Sequence, residues 1–189
     1  MPDENDNKDT TLSLKGYVDG ACSKNPGPGG WAAYIIFCLD DIEKGVPHEK
    51  YAFKISGGKP HTTNNEMELM AFYKILTFVE YPITIYTDSM YVINCFNNCN
   101  EWIQNEKDKD KPLANSWLIH QIKDILDTRG KNVTLLKVKG HSGDTWNEAC
   151  DKLAKEETKK QIRRLENNEI IRRRKEAAYR EKAARNIEV

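Results

Sequence analysis

Beyond Gly143 this 189-residue chain contains no glycine, and beyond Pro112 no proline. Those are the residues that most often end a helix, so nothing after Thr145 interrupts a nearly continuous one. No apolar run approaches the roughly 20 residues that a membrane-spanning helix needs. The opening "MPDENDNKDT" is acidic and has none of the hydrophobic stretch of a signal peptide. These absences lead us to expect a cytoplasmic protein with no membrane partner. The five cysteines (Cys22, Cys38, Cys95, Cys99, Cys150) are odd in number and include no Cys-x-x-Cys pair. That pattern indicates neither a disulfide framework nor a zinc site. Net charge is missing as well, since 29 basic residues balance 29 acidic ones. The cancellation hides a division: residues 159–189 hold 11 Lys and Arg against 5 Asp and Glu, a net of +6, and the preceding residues carry −6. An acidic body bears a basic tail, and this asymmetry bears on partners where the whole-chain charge does not.

What is present fits one domain with extensions. Residues 1–11 are polar and aperiodic and read as a disordered leader. Leu12, Leu14, Gly16 and Val18 alternate with Ser13, Lys15, Tyr17 and Asp19, the pattern of a strand. "GWAAYIIFCLD" and "EKYAFKISG" continue an antiparallel meander. "TTNNEMELMAFYKILTFVE" turns to helical period, with Thr63 and Glu66 at capping-box spacing. "ITIYTD" is a strand and "SMYVINCFNNC" a helix. "NSWLIHQIKDILDT" is a helix closed by Arg129-Gly130, "VTLLKVKG" a fifth strand, and a last helix starts near Thr145. The order β-β-β-α-β-α-α-β-α predicts an α/β fold. Its mixed five-stranded sheet combines a three-stranded antiparallel meander with two parallel strands, and helices cover both faces. The domain is expected over residues 12–158, followed by a charged, basic helical tail over 159–189.

Four acids and one histidine stand out. Asp19 ends the first strand, just before the turn-formers Asn25, Pro26, Gly27, Pro28, Gly29 and Gly30. Those residues ordinarily mark a plain turn, yet they would equally let a large anion approach the backbone. Counting 3, 4, 7, 8 and 11 onward from Glu68 meets Ala71, Phe72, Ile75, Leu76 and Val79, so Glu68 heads a buried stripe and Glu66 stays at the cap. A plain acid favoured by the helix dipole is the alternative. Asp88 ends a strand and precedes a helix, where ligands gather in open α/β sheets, although Asp-Ser there is also ordinary N-cap chemistry. Asp151 flanks the stripe Trp146, Ala149, Cys150 and Leu153, and by itself reads as a solvated acid. His141 lies in the loop "KVKGHSGD". Taken together, four elements aim four carboxylates at one spot. Such a cluster raises its own pKa values unless cations compensate it. All-oxygen ligation suits Mg²⁺ or Mn²⁺ rather than zinc. Two such ions about 4 Å apart form the clamp that activates water against a phosphodiester.

"DGACSKNPGPGGWAA", "TTNNEMELMA", "YTDSMYVI" and "VKGHSGDTWNEACDKLA" resemble, in order and spacing, the motifs of type 1 ribonuclease H, over roughly Ser13 to Lys155. The resemblance implies the ribonuclease H-like fold. It also implies an endonuclease that cuts the RNA strand of RNA–DNA hybrids with two Mg²⁺ ions (Mn²⁺ substituting), leaving 5′-phosphate and 3′-hydroxyl ends. Carried over by motif, Asp19 would bridge both ions and Asp151 would complete the one holding the attacking water. Glu68 and Asp88 would complete the ion at the leaving oxygen. His141 matches a mobile histidine that moves protons or helps product leave, work that suits an imidazole near pKa 6.5. Asn147 matches a neighbour of the site. The glycine-rich loop would lie on the minor groove, where 2′-hydroxyls mark RNA, with Cys22, Asn25, Asn64, Asn65 and Met90 as contacts. Thr63 and His61 fall where the family grips a DNA-strand phosphate, His61 replacing a frequent arginine.

The chain departs from the family between the two central helices. Relatives often carry a basic, Trp-containing handle there. "NEWIQNEKDKDKPLANSW" is short and charge-balanced, with Trp102 as its stacking side chain. The resemblance includes no N-terminal hybrid-binding domain of the eukaryotic kind. The chemistry is expected to survive, with substrate affinity in question, in a monomer whose basic tail offers a further contact for nucleic acid or protein. The competing readings are a DNA-cutting nuclease of the same fold, a non-catalytic hybrid-binding module, and a domain serving inside a polymerase complex.

Overall fold

The computed structural model describes residues 10–41, 46–109, 112–140 and 143–185. The elements run β1 (Thr10–Cys22), β2 (Gly27–Asp41), β3 (Val46–Thr62), α1 (Asn64–Phe78), β4 (Ile83–Thr87), α2 (Met90–Lys109) and α3 (Ser116–Arg129). A 3₁₀ turn (Gly130–Asn132), β5 (Val133–Lys137) and α4 (Thr145–Arg185) complete the chain. The strands form one sheet in the order β3-β2-β1-β4-β5. The β1–β2 and β2–β3 pairs are antiparallel, and the β1–β4 and β4–β5 pairs are parallel. This is the expected mixed sheet. The meander is longer than its alternation indicated, because β3 extends from Val46 to Thr62. β1 begins at Thr10, inside the stretch read as leader.

The two faces of the sheet bury different layers, as the two-residue period requires. Leu14 and Val18 of β1 join Ala33 and Ile35 of β2 in the main core, beneath Phe72 and Ile75 of α1, Val92 of α2 and Ile119 of α3. Tyr17 and Ile36 face the other way and meet Cys150 of α4, while Ala32 meets Leu153 and Ala154. Helices α1–α3 therefore cover one face and α4 the other. Arg129, in the last turn of α3, donates to the carbonyls of Leu76, Val79 and Tyr81, closing the end of α1.

The capping box of α1 forms by half. Thr63 is the N-cap and its hydroxyl accepts from the Glu66 amide at 3.2 Å. The Glu66 carboxylate turns instead to β3, accepting from Thr62 Oγ1 at 2.6 Å and Lys59 Nζ at 2.5 Å. A cation and a hydroxyl on the neighbouring strand outcompete a backbone amide for that acid.

Helix α4 runs 41 residues without a break. Its first half is seated where β2 has no side chain: a Cβ at Gly30 would lie 2.4 Å from the Ala154 carbonyl and 2.6 Å from the Thr158 amide. Packing on the sheet continues through Gln161, 5% exposed. Gly30→Ala would force backbone against backbone and should lower stability by about 2 kcal/mol, within the usual range for overpacking. Urea denaturation of the two proteins measures this directly.

Candidate active site

The parallel pairing of β1 with β4 sets the site. Tyr17 and Tyr86 are register partners, and their rings stack at 4.9 Å. Two residues beyond each stand Asp19 and Asp88, so the register brings them to the same end of adjacent strands. Glu68 arrives in the first turns of α1, where Gly20 admits the helix: a Cβ there would fall 2.2 Å from the Glu68 amide. Asp151 and Asn147 arrive on α4 from the opposite face, anchored by the Cys150 thiol donating to the Tyr17 carbonyl at 3.1 Å. Asp19, Glu68, Asp88, Asn147 and Asp151 line one open cleft of about 530 Å³ together with Cys22, Asn64, Lys155 and Lys159.

Each carboxylate is held by a neighbour. Asp19, 8% exposed, accepts the Gly20 amide at 2.7 Å through Oδ1. Asp88 Oδ2 accepts from Asn147 Nδ2 at 3.1 Å. Asp151 Oδ2 accepts from Lys155 Nζ at 2.7 Å. Glu68 accepts from Ser89 Oγ at 2.6 Å and from Asn64 Nδ2 at 2.8 Å. Burial, with Asp88, Asp151 and Glu68 adding repulsion, pushes the Asp19 carboxyl up to about 7 against the lowering effect of the Gly20 amide. Burial also raises Glu68, opposed by the Ser89 hydroxyl and reinforced by Asp88.

Among the described residues no group of three or more His, Cys, Asp or Glu is arranged to enclose an ion. The donor chemistry nevertheless fits a hard divalent cation. The cleft brings together carboxylate oxygens, and the Oδ1 of Asn147, a lining residue, is buried and has no hydrogen-bond partner among the described residues. An orphaned carbonyl oxygen beside repelling carboxylates is a polar group awaiting a cation or water.

The other expected contacts divide. Cys22 and Asn64 line the cleft, and Asn25 Oδ1 accepts the Asn64 amide at 3.1 Å, tying the turn to α1. Thr63 is committed to its cap, and Asn65 and Met90 are exposed at the starts of α1 and α2. Trp102 lies away from the cleft, its ring 5.6 Å from that of Tyr91 in a second hollow lined by Pro112 and Leu113. His141 falls outside the described residues. The glycine run differs from its reading as a loop: Gly27, Gly29 and Gly30 belong to β2, and protein atoms press against each of them. The turn itself is Ser23–Pro26.

Ser89 was missed. It caps α2 by accepting the Val92 amide at 3.2 Å while donating to Glu68. Cap chemistry thus falls to Ser89 and leaves Asp88 free. Its spacing to Val92 was the available signal, masked by Asp88 one residue earlier. Gly140 also went unnoticed, and a Cβ there would come 2.7 Å from Asp88 Oδ2.

Known proteins share the family pattern and the fold. A model of the RNase H family matches residues 12–159. The ribonuclease H of Caldanaerobacter subterraneus subsp. tengcongensis is 39% identical over 156 residues, 78% of this chain and 92% of that protein. That of Caldicellulosiruptor saccharolyticus is 39% identical over 148 residues, covering 74% and 91%. Among solved structures, LC9-RNase H1, a type 1 RNase H with the type 2 active-site motif, has a TM-score of 0.66 at 22% identity, over 80% of this chain and 74% of that one. LC11-RNase H1, solved in complex with RNA/DNA hybrid, has 0.51 at 19%, over 79% and 99%. The fold and these matches define a nuclease class, and within it the chain belongs to the ribonuclease H family, whose members are endonucleases.

Because the folded Asp19 carboxyl titrates near 7 and the unfolded one near 3.8, the folded state binds a proton that the unfolded chain has released between those values. Metal-free protein should therefore gain stability as pH falls through 7. The gain from pH 8 to 6 should be about 1 kcal/mol, or roughly 2–4 °C for a chain of this size. Asp19→Asn keeps the acceptor for the Gly20 amide and removes the charge, so it should melt higher in EDTA at pH 8 and lose this pH dependence. Melting curves followed by circular dichroism read both. Ser89→Ala removes a cap and should cost about 1 kcal/mol, measured by the same melts.

Proposed function

We propose that this chain hydrolyses the RNA strand of RNA–DNA hybrids at a site built for two divalent ions, Mg²⁺ in the first place, leaving 5′-phosphate and 3′-hydroxyl ends. The observation that carries the reading is Asp19. A buried carboxylate with three others around it is destabilising unless cations join the cluster, and family membership says what such a cluster is kept for. Asp19, Glu68, Asp88 and Asp151 would hold the ions, Asp19 standing between the other three. Divalent cations in such a clamp activate a water and stabilise the charge on the leaving oxygen.

The protein's own part is orientation. Ser89 fixes the Glu68 carboxylate from the start of α2. Asn147 fixes one oxygen of Asp88. Asp19, Asp88 and Asp151 each keep a second oxygen without a hydrogen bond among the described residues. Lys155 compensates Asp151, and its own pKa is raised by that hydrogen bond. Cys22, Asn25 and Asn64 form the lip at which a hybrid's minor groove would rest, and Thr63 and Asn65 extend that lip along α1. Met90 would meet the hybrid at the start of α2, and Trp102 would act only on substrate reaching past Tyr91. His141, four residues before Thr145 in the sequence, is the candidate for proton transfer.

Cleavage of a labelled hybrid, compared with duplex DNA and duplex RNA in Mg²⁺ and in EDTA, tests the proposal. The hybrid alone should be cut, on its RNA strand and only with metal. Asp88→Asn should lose at least about 100-fold in rate, the scale of one main electrostatic stabiliser. Retention of activity within a few-fold in that variant, or equal cutting of duplex DNA, would sink the reading.

A further inference from the structure

The wall of the cleft continues into the basic tail. Lys155 and Lys159 line the cleft one turn apart, followed by Ile162. Gln161 is the last side chain buried on the sheet, against Gly58. From Arg163 to Arg180 the side chains of α4 are exposed, apart from half-buried Glu169. That segment is about 26 Å of rod at 1.5 Å per residue. Alone in water such a helix would be marginal. Here it grows from a packed first half, and Glu169 ties Arg172 and Arg173 at helical spacing.

The charge on the rod has a side. At 3.6 residues per turn, Lys155, Lys159, Arg163, Arg173, Arg174 and Arg180 share the side that faces the cleft at its origin. Glu156 and Glu166 are the acids among them. Arg164, Arg172 and Lys175 point the opposite way. Lys159, Arg163 and Arg174 take part in no ion pair among the described residues. The Arg173–Glu169 pair is exposed, a kind that competes weakly with phosphate. The body is acidic, and at the end of α2 the Glu106 carboxylate is taken up by Ser116 and the Leu113 amide.

We propose that this side of α4 is an electrostatic arm for the phosphate backbone of a hybrid seated in the cleft. The occupant is chosen by charge complementarity and by continuity with the cleft, and it rests on the reading of that cleft as a hybrid site. Along each nucleic-acid strand a phosphate recurs about every 3.4 Å, so 26 Å of rod passes several.

Two full-length triple variants remove equal charge. R163Q/R173Q/R174Q clears the cleft side, and R164Q/R172Q/K175Q clears the opposite side; Gln keeps helix propensity near that of Arg and Lys. Hybrid binding is measured across a salt series with Ca²⁺ in place of Mg²⁺. At about 0.9 per neutralised phosphate, the first triple should flatten the slope of log K against log salt by about 2–3, and the second by less than about 1. The triple R163K/R173K/R174K, which keeps charge, should keep the slope. Equal flattening by both Gln triples, or parallel lines for all proteins, overturns the inference and leaves the tail a solvated rod. A separate Mg²⁺ cleavage assay reports on the activity itself. Wild type that binds with a slope lost only in the first triple, yet never cuts, retains the arm and removes the proposed activity. Cutting with parallel binding lines removes the arm alone.

Discussion

The repulsion around Asp19 is the constraint on which the rest of the structure turns. A carboxylate 8% exposed at the end of β1, with Asp88, Asp151 and Glu68 each raising its pKa, is an arrangement that folding alone would not favour. It persists because each of its partners is fixed by something else. Asp88 is delivered by the β1–β4 register, Glu68 by α1 closing on Gly20, and Asp151 by α4 closing on Gly30. The core on one face and the α4 layer on the other supply the stability against which the cluster is set. The acids therefore remain together through a hydrogen-bond frame that spends one oxygen of each aspartate and leaves the second open.

Helix α4 works on both sides of this balance. Cys150, Leu153 and Ala154 bury its inner face on the sheet. Asn147 and Asp151 project from neighbouring turns into the cleft, and Lys155 and Lys159 follow along the same wall. One rigid element thus sets the distance between the acidic centre and the cationic stretch beyond it. Its close seating on glycines makes that distance insensitive to side-chain motion, since backbone meets backbone at Gly30 and little remains to adjust.

Periodicity made most of the architecture legible. The alternation from Leu12 to Asp19, the stripe behind Glu68 and the absence of breakers after Gly143 correspond to β1, α1 and α4. The four acids stood out at the ends or edges of four elements, and the motif resemblance assembled them. The glycine run misled, since spacing cannot say whether the atoms approaching a glycine belong to a ligand or to the protein. In β2 they are protein. The capping box misled by half, because the motif counts only residues from the cap onward, and Lys59 and Thr62 at the end of β3 precede it. Trp102 kept an aromatic partner, but that partner is Tyr91.

By itself the sequence determined the local periods, the identity of the acids and the division of charge between body and tail, since these depend on residues near one another along the chain. Only the tertiary structure decided how those parts meet. It fixed the register that puts Asp19 beside Asp88 and the hydrogen bond by which Ser89 steadies Glu68. It also fixed the facing of the tail's cations relative to the cleft. Each of these is a relation between elements distant in sequence, set by which backbone approaches which, and such distances are absent from any local pattern.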